Sequence, residues 1–261
     1  MLLLLLALVA IAPLPAAPAE FRSHSHNDYL QPEPLATALA NRMGSVEADV
    51  WLIDGELRVG HTRAETSPGR TLTSVYLAPL RQRVAAAGTR LYADGPPLVL
   101  LIDIKSEAKP AYAAITRELD AHAALLTQFG GTAIIPGAVS VVLSGNVPSA
   151  ARSHAATRLA ACDGRPRDLE VNPPLHLVPI ISDNWTNHFQ WNGHGAMPPS
   201  ERMALRRLAD HCHAQGRRLR LWAAPDTESS WREQFEAGVD LINTDRPAAL
   251  HAFLASISSA P

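Results

Sequence analysis

Short apolar runs alternate with longer amphipathic ones along most of the chain. The runs Phe21–His26, Ser45–Leu52, Leu98–Lys105, Ala138–Gly145, Leu169–Val171, Val178–Asn184, Arg218–Ala224 and Val239–Asp245 are short. Several are dense in Val, Ile and Leu, as strands buried on both faces must be. Between them, Pro34–Met43, Leu72–Ala87, Ala108–Gln128, Ala150–Cys162, Pro199–Gln215 and Glu228–Ala237 are rich in Ala, Leu and Arg and read as helices. Acidic residues near Ser200 and Thr227 mark helix starts, and Gly216 and Gly238 mark stops. Strictly alternating strand and helix imply a parallel sheet. Eight candidate strands favour its closure into an α/β (β/α)8 (TIM) barrel over an open sheet.

The length, 261 residues, suits one such barrel, which takes roughly 250. The first segment stands apart. Leu2–Ile11 is an unbroken apolar run, too short for a bilayer span of about 20 residues. Pro13, Pro15 and Pro18 follow, and Ala17-Pro18-Ala19 offers a small-residue cleavage site. The expectation is a signal peptide over residues 1–19, a single barrel domain over residues 20–261, and a secreted or periplasmic protein with no membrane span once the leader is removed. A net charge of −2 gives no electrostatic footprint for nucleic acid. The two cysteines, Cys162 and Cys212, show no zinc-binding spacing and read as structural.

Chemistry gathers at the strand ends, where barrels carry their reactive groups. The first strand ends His24-Ser25-His26-Asn27-Asp28, the second carries Glu47-Ala48-Asp49, and the hairpin after it delivers His61. The third ends Asp103-Ile104-Lys105. Residues two apart on a strand share a face, so Glu47 and Asp49 point the same way, as do Asp103 and Lys105. Carboxylates aimed into one interior repel one another unless a hard cation such as Mg²⁺ or Ca²⁺ joins them. Lys105 adds positive charge for an anion such as phosphate, and two histidines could act as general base and acid. Asn184, Trp185 and Trp222 lie near strand ends as candidates for substrate binding, with core packing the alternative for the tryptophans. Isolated His154, His176, His188, His194, His211 and His213 carry no spacing information and read as structural.

These motifs carry a resemblance. Val46-Glu47-Ala48-Asp49-Val50 with Asp54-Gly55 and His61 is similar to the glycerophosphodiester phosphodiesterase pattern. Ile102-Asp103-Ile104-Lys105 resembles the third-strand motif of the related sphingomyelinase D enzymes, and Gly238–Pro247 the last strand of the same phospholipase C-like superfamily. His24–Tyr29, Val46–Trp51 and Ile181–Trp185 resemble a narrower branch, typified by the fungal altered inheritance of mitochondria protein six. The resemblance implies a metal-dependent phosphoric diester hydrolase acting on a glycerophosphodiester or phospholipid-like substrate. In it Glu47, Asp49 and Asp103 would hold one Mg²⁺ or Ca²⁺, His26 and His61 would be the acid–base pair, and Lys105 would contact phosphate. Either His24 or His26 could be the first catalytic histidine; spacing to His61 favours His26. The usual His-Arg-Gly is replaced by His24-Ser25-His26-Asn27, which bears on the substrate more than on the reaction class.

Two rivals remain at this level. His24-x-His26, with Asp245, also fits a zinc amidohydrolase-like barrel, although no histidine ends the fifth and sixth strands. A non-catalytic phosphate- or lipid-binding barrel would be expected to have lost a metal ligand or an acid–base partner, and all five candidates are present.

Overall fold

The computed structural model describes residues 18–258 except 131–132 and 154–156. Eight parallel strands close a barrel: β1 Ser23–Ser25, β2 Ser45–Ile53, β3 Leu98–Ile104, β4 Val139–Gly145, β5 Ala160–Gly164, β6 Ile180–Asn184, β7 Arg218–Trp222 and β8 Leu241–Thr244. Closure is direct, because β1 pairs with β8 on one side and with β2 on the other. The antiparallel arm Glu56–Val59 folds back on β2 and leads directly into Gly60-His61.

The strands bury both faces, with opposite chemistry. Residues facing the helices are apolar: Val46, Ala48 and Val50 on β2, Leu100 and Ile102 on β3, Leu219 and Leu221 on β7. The interior face starts apolar, in a layer of Val99, Val142, Ile180 and Leu241. Toward the carboxyl ends it becomes polar, with Glu47, Asp49, Ser144, Asp163, Ser182, Arg220 and Asn243 all buried.

Two elements differ from the sequence expectation. The fifth strand is Ala160–Gly164, which overlaps the end of the stretch expected as the helix Ala150–Cys162; among the described residues of that stretch the helical part is the 3₁₀ turn Ser149–Arg152. Pairing of Ala160–Cys162 with Val141–Leu143 overrides the helix propensity of an Ala-rich run. Leu169–Val171, expected as that strand, belongs to the short helix Arg167–Val171, which begins after Pro166 with Asp168 and Glu170 in its first turn. The helix Pro247–Ser258 packs against the start of the barrel and lies beyond the elements expected from the sequence; Pro247 opens it, as proline suits a first helical position. Both cysteines are buried and form no disulfide, and burial pushes their thiols up to about 11 (Cys162) and about 12 (Cys212). Residues 1–17 of the expected leader, and His154, lie outside the described residues. Among the described residues no helix is long and apolar enough to cross a membrane.

The loop after β1 is tied down by Asp28. Its buried carboxylate accepts from Ser25 Oγ (2.8 Å), Leu35 N (2.7 Å) and Tyr76 Oη (3.1 Å). Asp28→Ala strands three donors, and the expected loss is about 3 kcal/mol in urea unfolding. A loss under about 1 kcal/mol would show that the loop does not depend on these bonds.

Candidate active site

Strand register assembles the carboxylates. Glu47 and Asp49 face inward from β2, and Asp49 lies directly across from Asp103 of β3. One oxygen from each of the three falls within 4.8 Å of the others. Asp49 Oδ1 and Asp103 Oδ1 are buried and accept no hydrogen bond. Buried acceptors without partners are rare, and two in one acidic cluster match the oxygen ligand set of a hard divalent cation. Asp103 fits its place because residue 145 is glycine: a Cβ there would lie 1.9 Å from Asp103 Oδ1.

Two cations partly offset this charge. Lys105 Nζ donates to Asp103 Oδ2 (2.8 Å) and lies 3.2 Å from Asp49 Oδ2. Arg220, from β7, donates through one Nη to both oxygens of Glu47 (3.2 Å each) and through Nε to Asn243 Oδ1 (3.0 Å). Burial alone would push Glu47 up, but the Arg220 guanidinium, with His24 and His26, holds it well below the usual carboxylate range. Asp49 has the opposite outcome. Burial first, then the charge of Glu47, raise it to about 6 against the pull of Lys105.

The histidines take different positions. His24 is fully buried, with Nδ1 2.8 Å from Ser45 Oγ and Nε2 3.4 Å from Glu47 Oε2. Burial, then Arg220, lower its pKa to about 3, so it is neutral near pH 7. His26 sits at the end of β1, its side chain 30% exposed, with Nδ1 2.8 Å from Asp245 Oδ1 and Nε2 3.7 Å from Glu47 Oε2. Burial works against its protonation, but the Asp245 hydrogen bond and the charges of Glu47 and Asp245 outweigh it and raise its pKa. His61, 57% exposed, faces Asp49 Oδ2 through Nδ1 at 3.2 Å. Tyr29 steadies that side: its hydroxyl lies 2.8 Å from Asp49 Oδ2 and 2.7 Å from Asn27 Oδ1. Burial and the charge of Asp49 keep this phenol protonated.

The expected substrate-binding residues separate. Trp222 ends β7 partly exposed, with the Arg165 guanidinium 5.1 Å from its ring centre. Trp185 does not line the mouth. It is 2% exposed, packed at a tilt against Phe189 and Trp191, and donates to Trp191 O, so the core has taken its surface. Asn184 uses its Oδ1 to accept from Thr186 N and Oγ1, capping a 3₁₀ turn. His188 and His213 are held by Asp183 (2.7 Å) and Asp240 (2.9 Å). The zinc reading finds no His-rich shell: the nitrogens of His24 face Ser45 and Glu47, and the metal-compatible cluster found among the described residues is all carboxylate.

Arg220 and Tyr29 received no role from the sequence, and Asp245 only one in the zinc alternative. Arg220 had a signal: Arg218-Leu219-Arg220-Leu221-Trp222 alternates with period two in a strand that should be apolar on both faces. The partnership of His26 with Asp245 spans 219 positions and arises only when the barrel closes.

Comparison with known proteins places this arrangement. The family model described as an AIM6-like phosphodiesterase domain matches residues 17–159, and that of the glycerophosphoryl diester phosphodiesterase family matches residues 218–248. An altered inheritance of mitochondria protein 6 homolog of Arthroderma benhamiae is 28% identical, across 90% of this chain and 82% of its own. Altered inheritance of mitochondria protein 6 of Eremothecium gossypii is also 28% identical, across 90% and 70%. In fold the chain is similar to a putative glycerophosphoryl diester phosphodiesterase from Agrobacterium tumefaciens (TM-score 0.52, 17% identity, 92% of this chain and 99% of that one). It is similarly close to a glycerophosphodiester phosphodiesterase from Parabacteroides distasonis (TM-score 0.54, 15% identity, 91% and 98%).

Proposed function

The chain belongs to the AIM6-like phosphodiesterase domain family, and on that premise we propose that it cleaves a small-molecule or lipid phosphodiester of the glycerophosphodiester or phospholipid-like kind, with a divalent cation held by Glu47, Asp49 and Asp103. The observation that carries the reading is the pair of unpartnered buried oxygens, Asp49 Oδ1 and Asp103 Oδ1, with a histidine on either side. A bound Mg²⁺ or Ca²⁺ would neutralise charge developing on the phosphoryl oxygens.

The chain's own residues do the rest. Asp245 fixes the His26 tautomer with the proton on Nδ1, leaving Nε2 directed toward the carboxylates. His61, turned by Asp49 through Nδ1, offers its Nε2 to the mouth from the other side. One imidazole accepts the proton of the attacking hydroxyl while the other gives one to the leaving alkoxide. Lys105 secures Asp49 and Asp103 and supplies a cation for the phosphate. His24, neutral and enclosed, orients Glu47. The apolar run Leu2–Ile11 leads us to place the activity outside the cytoplasm.

Protonation of Asp49 competes with the cation. A carboxyl raised from 3.8 to about 6 destabilises the cation-free fold as pH rises through that window, by on the order of 3 kcal/mol once ionised. Cation affinity is therefore expected to tighten about tenfold per pH unit below about 6 and level off above about 7. Calorimetric titration with Mg²⁺ or Ca²⁺ checks this; an affinity flat from about pH 5 to 8 contradicts the assignment of Asp49 as a ligand.

Phosphorus NMR tests the reaction itself, using a glycerophosphodiester and a lysophospholipid with Mg²⁺, with Ca²⁺ and with chelator. A cation-dependent new phosphate resonance is expected, and its shift separates a cyclic product, from attack by a substrate hydroxyl, from an open one. Turnover undiminished by chelator overturns the metal-dependent reading.

A further inference from the structure

A cavity of about 840 Å³ opens at the opposite end of the barrel, around the amino-terminal starts of the strands. Its walls are mostly apolar, with Val99, Phe129, Ile134, Pro136, Val142 and Ile180 among them. The layer of Val99, Val142, Ile180 and Leu241 lies between it and the polar half of the interior, so it is separate from the carboxylate cluster.

One charged group projects onto this apolar floor. Arg218 is the first residue of β7 and faces the interior, one turn of the pleat below Arg220. Its neighbours show what satisfied arginines look like in this fold. Arg217 donates to Gln215, Asn172, Val178 O and Pro173 O, and Arg220 donates to Glu47 and Asn243. The Arg218 guanidinium makes no side-chain hydrogen bond or ion pair among the described residues. Asp240 acts on it only through space, since that carboxylate is held by His213 and Leu219 N. Two other polar groups of the wall satisfy each other: Thr127 Oγ1 and Ser140 Oγ bond at 2.8 Å. At the rim Asp94 is taken by Arg42, while Arg90 is exposed. The cavity therefore presents hydrocarbon with one open guanidinium on its floor and the exposed Arg90 at its rim, and it lies within the size range of small-molecule sites, about 300–1,000 Å³.

We infer that this end of the barrel binds a single-chain amphiphile with an anionic head, its chain against the apolar walls and its head on Arg218. A guanidinium kept partly out of water without a directly bonded counter-charge is costly, and a carboxylate or phosphate head is the group its planar donor fork fits. The hydrocarbon around it selects against small inorganic anions.

Displacement of a fluorescent fatty acid from the purified protein is the test, with oleate, hexadecyl phosphate and oleyl alcohol as competitors. Oleate is expected to bind saturably at one site, and the alcohol at least about tenfold more weakly, for want of the charge-assisted bond. Whichever of carboxylate and phosphate binds more tightly gives the head-group preference of the site. Arg218→Gln breaks no side-chain hydrogen bond or ion pair among the described residues, so it is expected to raise the ligand-free Tm, weaken oleate binding about tenfold and erase the preference over alcohol. Val142→Trp, which fills the cavity, is expected to abolish binding of all three. The inference is overturned if oleate shows no saturable binding, or if Arg218→Gln binds it like the unsubstituted protein and keeps the preference over alcohol.

Discussion

Replacing His26 with alanine is expected to lower kcat by about a thousandfold and to leave Tm nearly unchanged. The side chain is partly exposed and bonds only to groups at the mouth, Asp245 and Asn27, so its removal opens no core cavity. Its nitrogen beside Glu47 is the one placed to exchange a proton with substrate. His24 gives the contrast. It is enclosed and neutral, so His24→Gln is expected to cost about 10–100-fold in cation affinity through Glu47, with kcat at saturating cation largely kept. Asp245→Asn tests the coupling. Asp245 holds the His26 pKa up, so this variant should move to lower pH the one limb of the kcat profile that His26 sets, the acid limb for a base or the alkaline limb for an acid, and leave the other limb in place. The reverse pattern, a dead His24 variant and an active His26 variant, would transfer the acid–base role to His24.

The second large effect lies one step behind the chemistry. Arg220→Met is expected to destabilise the cation-free protein by about 3–5 kcal/mol, because it leaves Glu47 buried with its main counter-charge gone. The pH dependence carries the sign. In the native chain Glu47 is depressed, so its contribution to stability is present above its unfolded pKa and is lost as pH falls below about 4. Without Arg220, burial dominates and the carboxyl pKa rises, so that contribution reverses and stability falls as pH rises past about 4. Adding Glu47→Gln to Arg220→Met should recover much of the loss, since the orphaned charge is then removed. Urea unfolding of the two single variants and the double variant measures the coupling. Additive losses would show that the pair does not act as a unit.

Much of this architecture is legible in the sequence. Period-two alternation around Glu47, Asp49 and Asp103 places three carboxylates inside a barrel, and register then sets two of them side by side. The parts that were not legible depend on distant partners. The strand Ala160–Gly164 looks helical because its alanines have high helix propensity, and its neighbours Val139–Gly145 and Ile180–Asn184 make it a strand. Trp185 reads equally as pocket wall or core until Phe189 and Trp191 enclose it. His24 and His26 share a motif in which spacing to His61 only favours His26, and they separate once Ser45 covers one and Asp245 meets the other.

The most direct measurement strips the protein with chelator and follows glycerophosphodiester cleavage while Mg²⁺ or Ca²⁺ is returned, in the unsubstituted protein and in Asp49→Asn. The account predicts no turnover without cation, recovery that follows cation binding measured in parallel, and at least a roughly hundredfold weaker recovery in Asp49→Asn, on the order of one lost ionic ligand. Full activity in the stripped protein, or a cation midpoint left unchanged by Asp49→Asn, would contradict it.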